Sequence, residues 1–444
     1  MAVGNTQISR RSHQNNMQNW NTDFFEKLYA KLYASLIEDS RTHLFAMSSP
    51  GKFLPSGLNP GVKLEDAAIL SSLFERVPAF SWLEKQENRK ISEVYNSILN
   101  YKESPASTGT PERIAERLRE AERQYDQYIE EYQVHKYAYE AVQLEYLSAK
   151  ATQENSGAKI PRNLMIKLDQ TLNKWIARGN KNRIEQCLAI MAEFKPLDAA
   201  SFWKQAGEQF QNGQRSTNTG AVFQLTDFYP NYKYWFENSD WSTFSFDQRD
   251  LDHQRKSGLT GLTGDLDPSF GLFNLSNKQS DHNQQSFLKV EETGIKVECQ
   301  LMQVHIERNW LNPLVLSSKA WRMDKNSPDP DFSLSNGADL EKGIVPVGEM
   351  TVLPVSAIIC KNLRVNGRFA DDVVQKINGE IERNELAVGF GPFAIADKRY
   401  RQDQRAKGTI TNQVIEVADE QIIGIICKVL PKMPNPDPQL PWKK

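Results

Sequence analysis

Cysteine is scarce in this chain: Cys187, Cys299, Cys360 and Cys427 are the only four in 444 residues, and none stands at CxxC or another metal-ligand spacing. That excludes a disulfide-stapled small domain and a sequence-evident zinc site, and it favours a reducing, cytoplasmic place of synthesis. Long apolar runs are missing as well. The most apolar windows, Val345 to Cys360 and Gln421 to Leu430, are broken by Pro346, Pro354 and Gly424. They fall short of the roughly 18 to 20 residues that a membrane helix needs, so no transmembrane helix is expected. The N-terminal stretch has no apolar core for a signal peptide, and Arg10-Arg11 is followed by polar side chains. Conventional export is therefore disfavoured, which leaves lysis or a dedicated secretion machine as routes out of the cytoplasm. An excess of one charge is lacking too. Lys+Arg 54 against Asp+Glu 56 gives a net charge of -2, so no whole-chain field recruits nucleic acid or an anionic surface, and any such partner needs a local patch.

Chemical motifs are equally sparse. No GxSxG, HExxH or Gly-Lys-Ser/Thr element occurs, and the glycine-rich Gly258 to Asp267 lacks the ligands of a phosphate or calcium loop. None of the six histidines sits in a nucleophile motif. The weak catalytic candidates are His305 and Glu307, two apart on a predicted strand and therefore on one face, an imidazole beside a carboxylate. Arg308, Trp310, Trp321 and Arg322 close by favour a structural cluster of cation-π and salt-bridge contacts there. No metal or cofactor is expected. Nucleic acid is not expected either: Arg10, Arg11 and His13 are too few for a phosphate track, and the Tyr232 to Phe236 aromatics enclose only Lys233.

What is present is periodicity. Residues 1–18 are polar and read as a disordered arm; 19–212 read as helical. Phe24, Leu28, Leu32 and Leu36 form one stripe, followed by a Gly/Pro-rich loop from Pro50 to Gly61 and shorter helices from Leu64 and Ile91. From Pro111 to about Lys150 no glycine or proline intervenes, and Ile114, Leu118, Ala121, Tyr125, Tyr128, Tyr132, His135, Tyr139, Val142 and Tyr146 alternate by threes and fours. That is the seam of a helix packed lengthwise on another. Its tyrosines need partners for their hydroxyls, so an intramolecular hairpin or an assembly contact fits better than a simple zipper. The turn-rich Gln211 to Gly220 marks a boundary, and from 220 to 430 the period becomes two, with one helix over Phe369 to Ile381. The tail 431–444 is proline-rich and extended.

These patterns predict an α+β protein: a helical N-terminal domain with a long coiled-coil-like helix, then a mainly antiparallel β-rich C-terminal domain. The leading functional expectation is a non-enzymatic structural or interaction protein that meets a protein partner or its own copies. Its contact residues would be Tyr125, Tyr128, Tyr132, Tyr139, Tyr146 and, in the tail, Trp442. The first alternative is a pore-forming or membrane-acting protein that uses a glycine-rich hairpin over 385–417. The hairpin's tip, with Lys398, Arg399, Arg401, Arg405 and Lys407, would meet an anionic surface. The second is an enzyme with its site at His305 and Glu307.

Overall fold

The computed structural model describes residues 24–37, 42–105, 112–156, 159–194, 199–236, 241–247, 273–276, 285–287, 294–338, 344–383, 387–397 and 408–442. The architecture is α+β, with a long helix and a largely antiparallel sheet. The expected disordered arm over 1–18 lies outside the described residues.

The main sheet has eight strands, and every pairing in it is antiparallel. Its spine runs His43–Phe53, Gln421–Val429, Val352–Asn366, Lys296–Glu307, Asp227–Tyr229. Ser242–Asp247 pairs with the first half of Lys296–Glu307, while Thr409–Ile410 and Val414–Val417 attach beside Val352–Asn366. Strand His43–Phe53 departs from the helical pattern predicted for 19–212. Its run Leu44-Phe45-Ala46-Met47 has both faces covered: Phe45 and Met47 join one core, Leu44 and Ala46 the other. A strand buried on both sides shows a continuous apolar run instead of an alternation, and a run this short cannot be told from helix by period.

Helix α1 spans 24–36. Phe24, Phe25, Leu28, Tyr29 and Leu32 are wholly buried in the first core, and the Tyr29 hydroxyl donates to the Phe45 carbonyl at 2.8 Å. Helices α2 (Leu64–Ser72) and α3 (Ile91–Tyr101) follow. Helix α4 (Glu112–Ser156) has 45 residues, which at 1.5 Å per residue makes a rod of about 67 Å. Helices α5 (Arg162–Ala177) and α6 (Lys181–Phe194) run back along it. Lys167 meets Glu145, Trp175 meets Tyr139 and Tyr132, Arg183 meets Tyr128, and Cys187 with Met191 packs on Ala121 and Leu118. The long helix is thus paired within the chain. Helix α7 (Ala199–Asn212) places Phe202, Trp203 and Ala206 against Val94, Tyr95 and Ile98 of α3, in a core that also holds Trp310 and Trp321.

Helix α8 (Asp371–Arg383) carries Val373, Val374, Ile377 and Ile381 into the first core, as the period of its sequence predicts. The two halves of the hairpin expected over 385–417 share one backbone bond, from the Gly408 N–H to the Ile395 carbonyl at 2.7 Å, and their strands take other partners among the described residues. Ala387–Phe390 instead turns tightly at Gly391 onto Phe393–Ala396, in a separate four-stranded sheet with Gln285–Phe287 and Phe273–Ser276. Thr409–Ile410 pairs with Val414–Val417 in the main sheet. An alternating pattern says that a segment is a strand; it leaves the choice of partner to long-range packing. Residues 398–407, with Lys398, Arg399, Arg401, Arg405 and Lys407, lie outside the described residues. Among those described, no helix is long and apolar enough to cross a membrane.

Candidate functional site

The strand Lys296–Glu307 changes sides in mid-course. Val297, Cys299 and Leu301 point into the first core, whereas Met302, Val304 and Ile306 point into the core on the opposite face. The phase of burial flips between Leu301 and Met302. Beyond the flip, the odd positions Gln303, His305 and Glu307 are released from the apolar core and turn toward α4. Helix α4 meets them with a second stripe, outside its tyrosine seam, at the helical spacing of Tyr137, Glu140, Leu144 and Ser148. Tyr137 stacks on the His305 ring at 4.4 Å and 19°, and lies 4.5 Å from Tyr229, which is His305's register partner on the neighbouring strand. Leu144 enters the first core, and the Ser148 hydroxyl reaches the Thr243 carbonyl at 3.4 Å.

A polar chain runs through this junction. Gln303 Nε2 donates to Ser356 Oγ at 3.1 Å, and Ser356 Oγ lies 3.3 Å from His305 Nδ1. With Ser356 donating to Nδ1, the ring proton sits on Nε2 and faces Glu140 Oε2 at 3.2 Å. Glu140 Oε2 nonetheless has no aligned hydrogen bond, and Glu307 Oε1 is buried without one. Burial, with Lys136 adding its charge, lowers the His305 pKa to about 3. The Glu140 carboxyl is raised by burial and partly restored by Lys136, 3.7 Å away; Glu307 is raised for the same reason. At neutral pH the imidazole is uncharged, so its contact with Glu140 is not an ion pair.

Serine, histidine and a carboxylate in this order resemble a nucleophilic relay, but their environment opposes that use. Ser356 is 1% exposed, which closes its hydroxyl to an incoming carbonyl. An imidazole that ionises only near pH 3 is also too weak a base to activate a hydroxyl at neutral pH. The cluster reads as a clasp that fixes α4 to the sheet. The neighbouring residues are structural too. Arg308 is buried and donates to the carbonyls of Pro354 and Phe74, both at 2.7 Å, while Arg322 grips Glu103 with two hydrogen bonds. The Arg322 guanidinium also lies over the Trp442 ring, 4.9 Å from its centroid. Among the described residues no group of three His, Cys, Asp or Glu could hold a metal ion.

The predicted contact residues divide between two places. Tyr132 and Tyr139 flank Trp175 at 5.4 and 5.5 Å, Tyr128 lies under Arg183, Tyr125 packs beside the Leu118, Ala121, Cys187 and Met191 cluster, and Tyr146 is half-buried. The rings of Tyr128, Tyr132 and Tyr139 serve contacts within the arm formed by α4, α5 and α6. Trp442 is engaged in cis as well: its indole donates to the Asp437 carbonyl at 2.7 Å beneath Arg322.

The open surface is on the other side of α5. Leu164, Leu168 and Leu172 are half-buried and Trp175 is the helix's one buried residue, while Met165, Ile166 and Ile176 stand 49%, 49% and 42% exposed. Around them the stretch 159–183 carries seven Lys and Arg against Asp169 alone, a net of +6 inside a chain of net -2. That bias is visible by counting, and whole-chain arithmetic conceals it. Compared with family models, curated proteins and solved structures, the chain matches none.

Proposed function

We propose that the protein is a non-catalytic interaction protein whose helical arm is its contact element, with the outer face of α5 as the contact surface. One observation carries the reading: a 16-residue helix with a single buried side chain leaves Met165, Ile166 and Ile176 exposed. Leaving large aliphatic groups in water forgoes about 25 cal/mol for each Å² of apolar area not covered, and clustered patches of this kind mark contact sites. The rings of Tyr128, Tyr132 and Tyr139 are already engaged on the inner side of the arm, and the exposed apolar surface faces outward.

The two alternatives have less support. A membrane-inserting hairpin needs one apolar and one polar face, whereas Val388 to Phe390 and Phe393 to Ala396 are buried on both. The serine of the His305 cluster is 1% exposed. The contact reading is tested by a photo-crosslinking side chain at Ile166, compared with the same group at the exposed Lys204 of α7. Adducts of defined mass in cell extract from position 166 alone are the expected result; identical behaviour at both positions would remove the arm from consideration.

A further inference from the structure

We infer that the outer face of the arm docks on an anionic membrane surface, lying flat with α5 at the head-group level; this rests on the arm being the contact element. Three features of the face point to lipid.

The first is charge. Of the seven cations in 159–183, three have partners inside the arm: Lys167 with Glu145 at 3.3 Å, Lys181 with Glu185 at 2.7 Å, and Arg183 on the Tyr128 ring. Lys159, Arg162, Lys174 and Arg178 are exposed, with no carboxylate partner among the described residues. Four cations without an ion-pair partner, against the one exposed carboxylate of Asp169, attract an anionic surface and discourage a neutral or basic one.

The second is how aliphatic and basic side chains are interleaved. At about 100° per residue, Ile166 crowns the exposed arc of α5, Met165 and Ile176 lie on its Leu172 side, and Lys174 and Arg178 lie on the other. Met165 and Ile176 are separated by three turns, about 16 Å along the axis, so the apolar stripe is parallel to the helix and can enter an interface along its length. Long basic stems beside such a stripe can reach head-group phosphates while their methylenes cover apolar surface.

The third is shape. Met165, Ile166 and Ile176 project from the outer face of a helix, and a bilayer needs no concavity to receive them. Single-stranded nucleic acid is recognised by cations together with aromatic platforms, and the only aromatic residue in 159–183, Trp175, is buried between Tyr132 and Tyr139.

The test is co-flotation of the full chain with phosphatidylcholine vesicles, with and without about 30% phosphatidylserine, at low and high salt. Lys174→Glu/Arg178→Glu and Met165→Glu/Ile166→Glu are run beside it, with circular dichroism to confirm the fold. The wild type should float with the anionic vesicles only, and less at high salt. At about fivefold per basic residue, the Lys174→Glu/Arg178→Glu protein should lose at least about 25-fold in partitioning, and Met165→Glu/Ile166→Glu should also fall away. An Arg399→Glu/Arg401→Glu/Arg405→Glu protein should float like wild type. Equal binding to neutral vesicles, loss only in the 399/401/405 variant, or an oligonucleotide that binds with the same variant sensitivity in place of vesicles would each overturn the proposal. Adducts to a protein at Ile166 without flotation would leave the contact element standing and refute the lipid partner.

Discussion

In His305→Gln an amide that cannot be protonated takes the place of the imidazole between Glu140 and Ser356. The wild-type ring is 14% exposed, stacked on Tyr137, and held near pKa 3 against about 6.5 in an unfolded chain. Between those values the unfolded state binds the extra proton. The stabilising difference is therefore present above pH 6.5 and is lost as pH falls toward 3. At 1.36 kcal/mol per unit the full effect is about 5 kcal/mol, of which about 3 kcal/mol is lost between pH 7 and pH 4. Glu140, Glu307 and Asp227 have raised pKa values, so acid favours the native state at those groups; all three remain in the variant. The double difference isolates the ring. Urea unfolding followed by circular dichroism at pH 7 and pH 4, at one ionic strength, should show the wild type losing about 3 kcal/mol more than His305→Gln. Equal losses would refute the claim that the folded junction rejects imidazolium. A greater loss in the variant would mean that Glu140 holds the ring as a charged pair.

Three further outcomes follow from packing. Trp175→Ala removes the ring that Tyr132 and Tyr139 enclose and should cost about 3 to 5 kcal/mol, with hydrogen exchange accelerating first in α5. Unchanged protection over 162–177 would show that the arm is held elsewhere. Gly391 has φ +54°, and a Cβ there would lie 2.3 Å from Phe25 Cε1, so Gly391→Ala should lower stability by at least about 1 to 3 kcal/mol; a variant with wild-type thermal unfolding would contradict the close packing of α1 on that turn. Trp442→Ala removes both the Arg322 stack and the bond to Asp437, and limited proteolysis should then trim the chain beyond Pro436 first. Resistance equal to wild type would place the tail's anchor elsewhere, at the bond from the Asp437 N–H to the Lys319 carbonyl.

Much of the secondary structure was legible because its period is strong. Helix α1, the start of α4 after Pro111, the helix Asp371–Arg383 and the alternation in Lys296–Glu307 could all be read from spacing alone. Strand His43–Phe53 could not, since a short apolar run covered on both faces has no alternation. The seam of α4 was visible in its tyrosines, yet Tyr137 and Glu140, which meet His305, belong to a second stripe whose meaning depends on the sheet lying beside it. The mispaired hairpin over 385–417 has the same origin: partner choice is settled by burial against α1, far away in the sequence, together with α8, which directly precedes it. The flip at Leu301-Met302, two adjacent apolar residues inside an otherwise alternating strand, was a usable signal that Gln303, His305 and Glu307 would leave the core.

The strand His43–Phe53 zips onto Gln421–Val429, joining segments from opposite ends of the chain. During synthesis its partner emerges only after almost everything between them has been made, so Phe45 and Met47 must wait with their apolar surface uncovered while α4, α5 and α6 can already close on one another. On a ribosome adding about 5 to 20 residues per second, that interval is tens of seconds. The arm thus matures before the body that carries it, and a stalled or truncated chain would present a finished arm on an unfinished sheet. Chaperones would find their exposed substrate in the N-terminal strand.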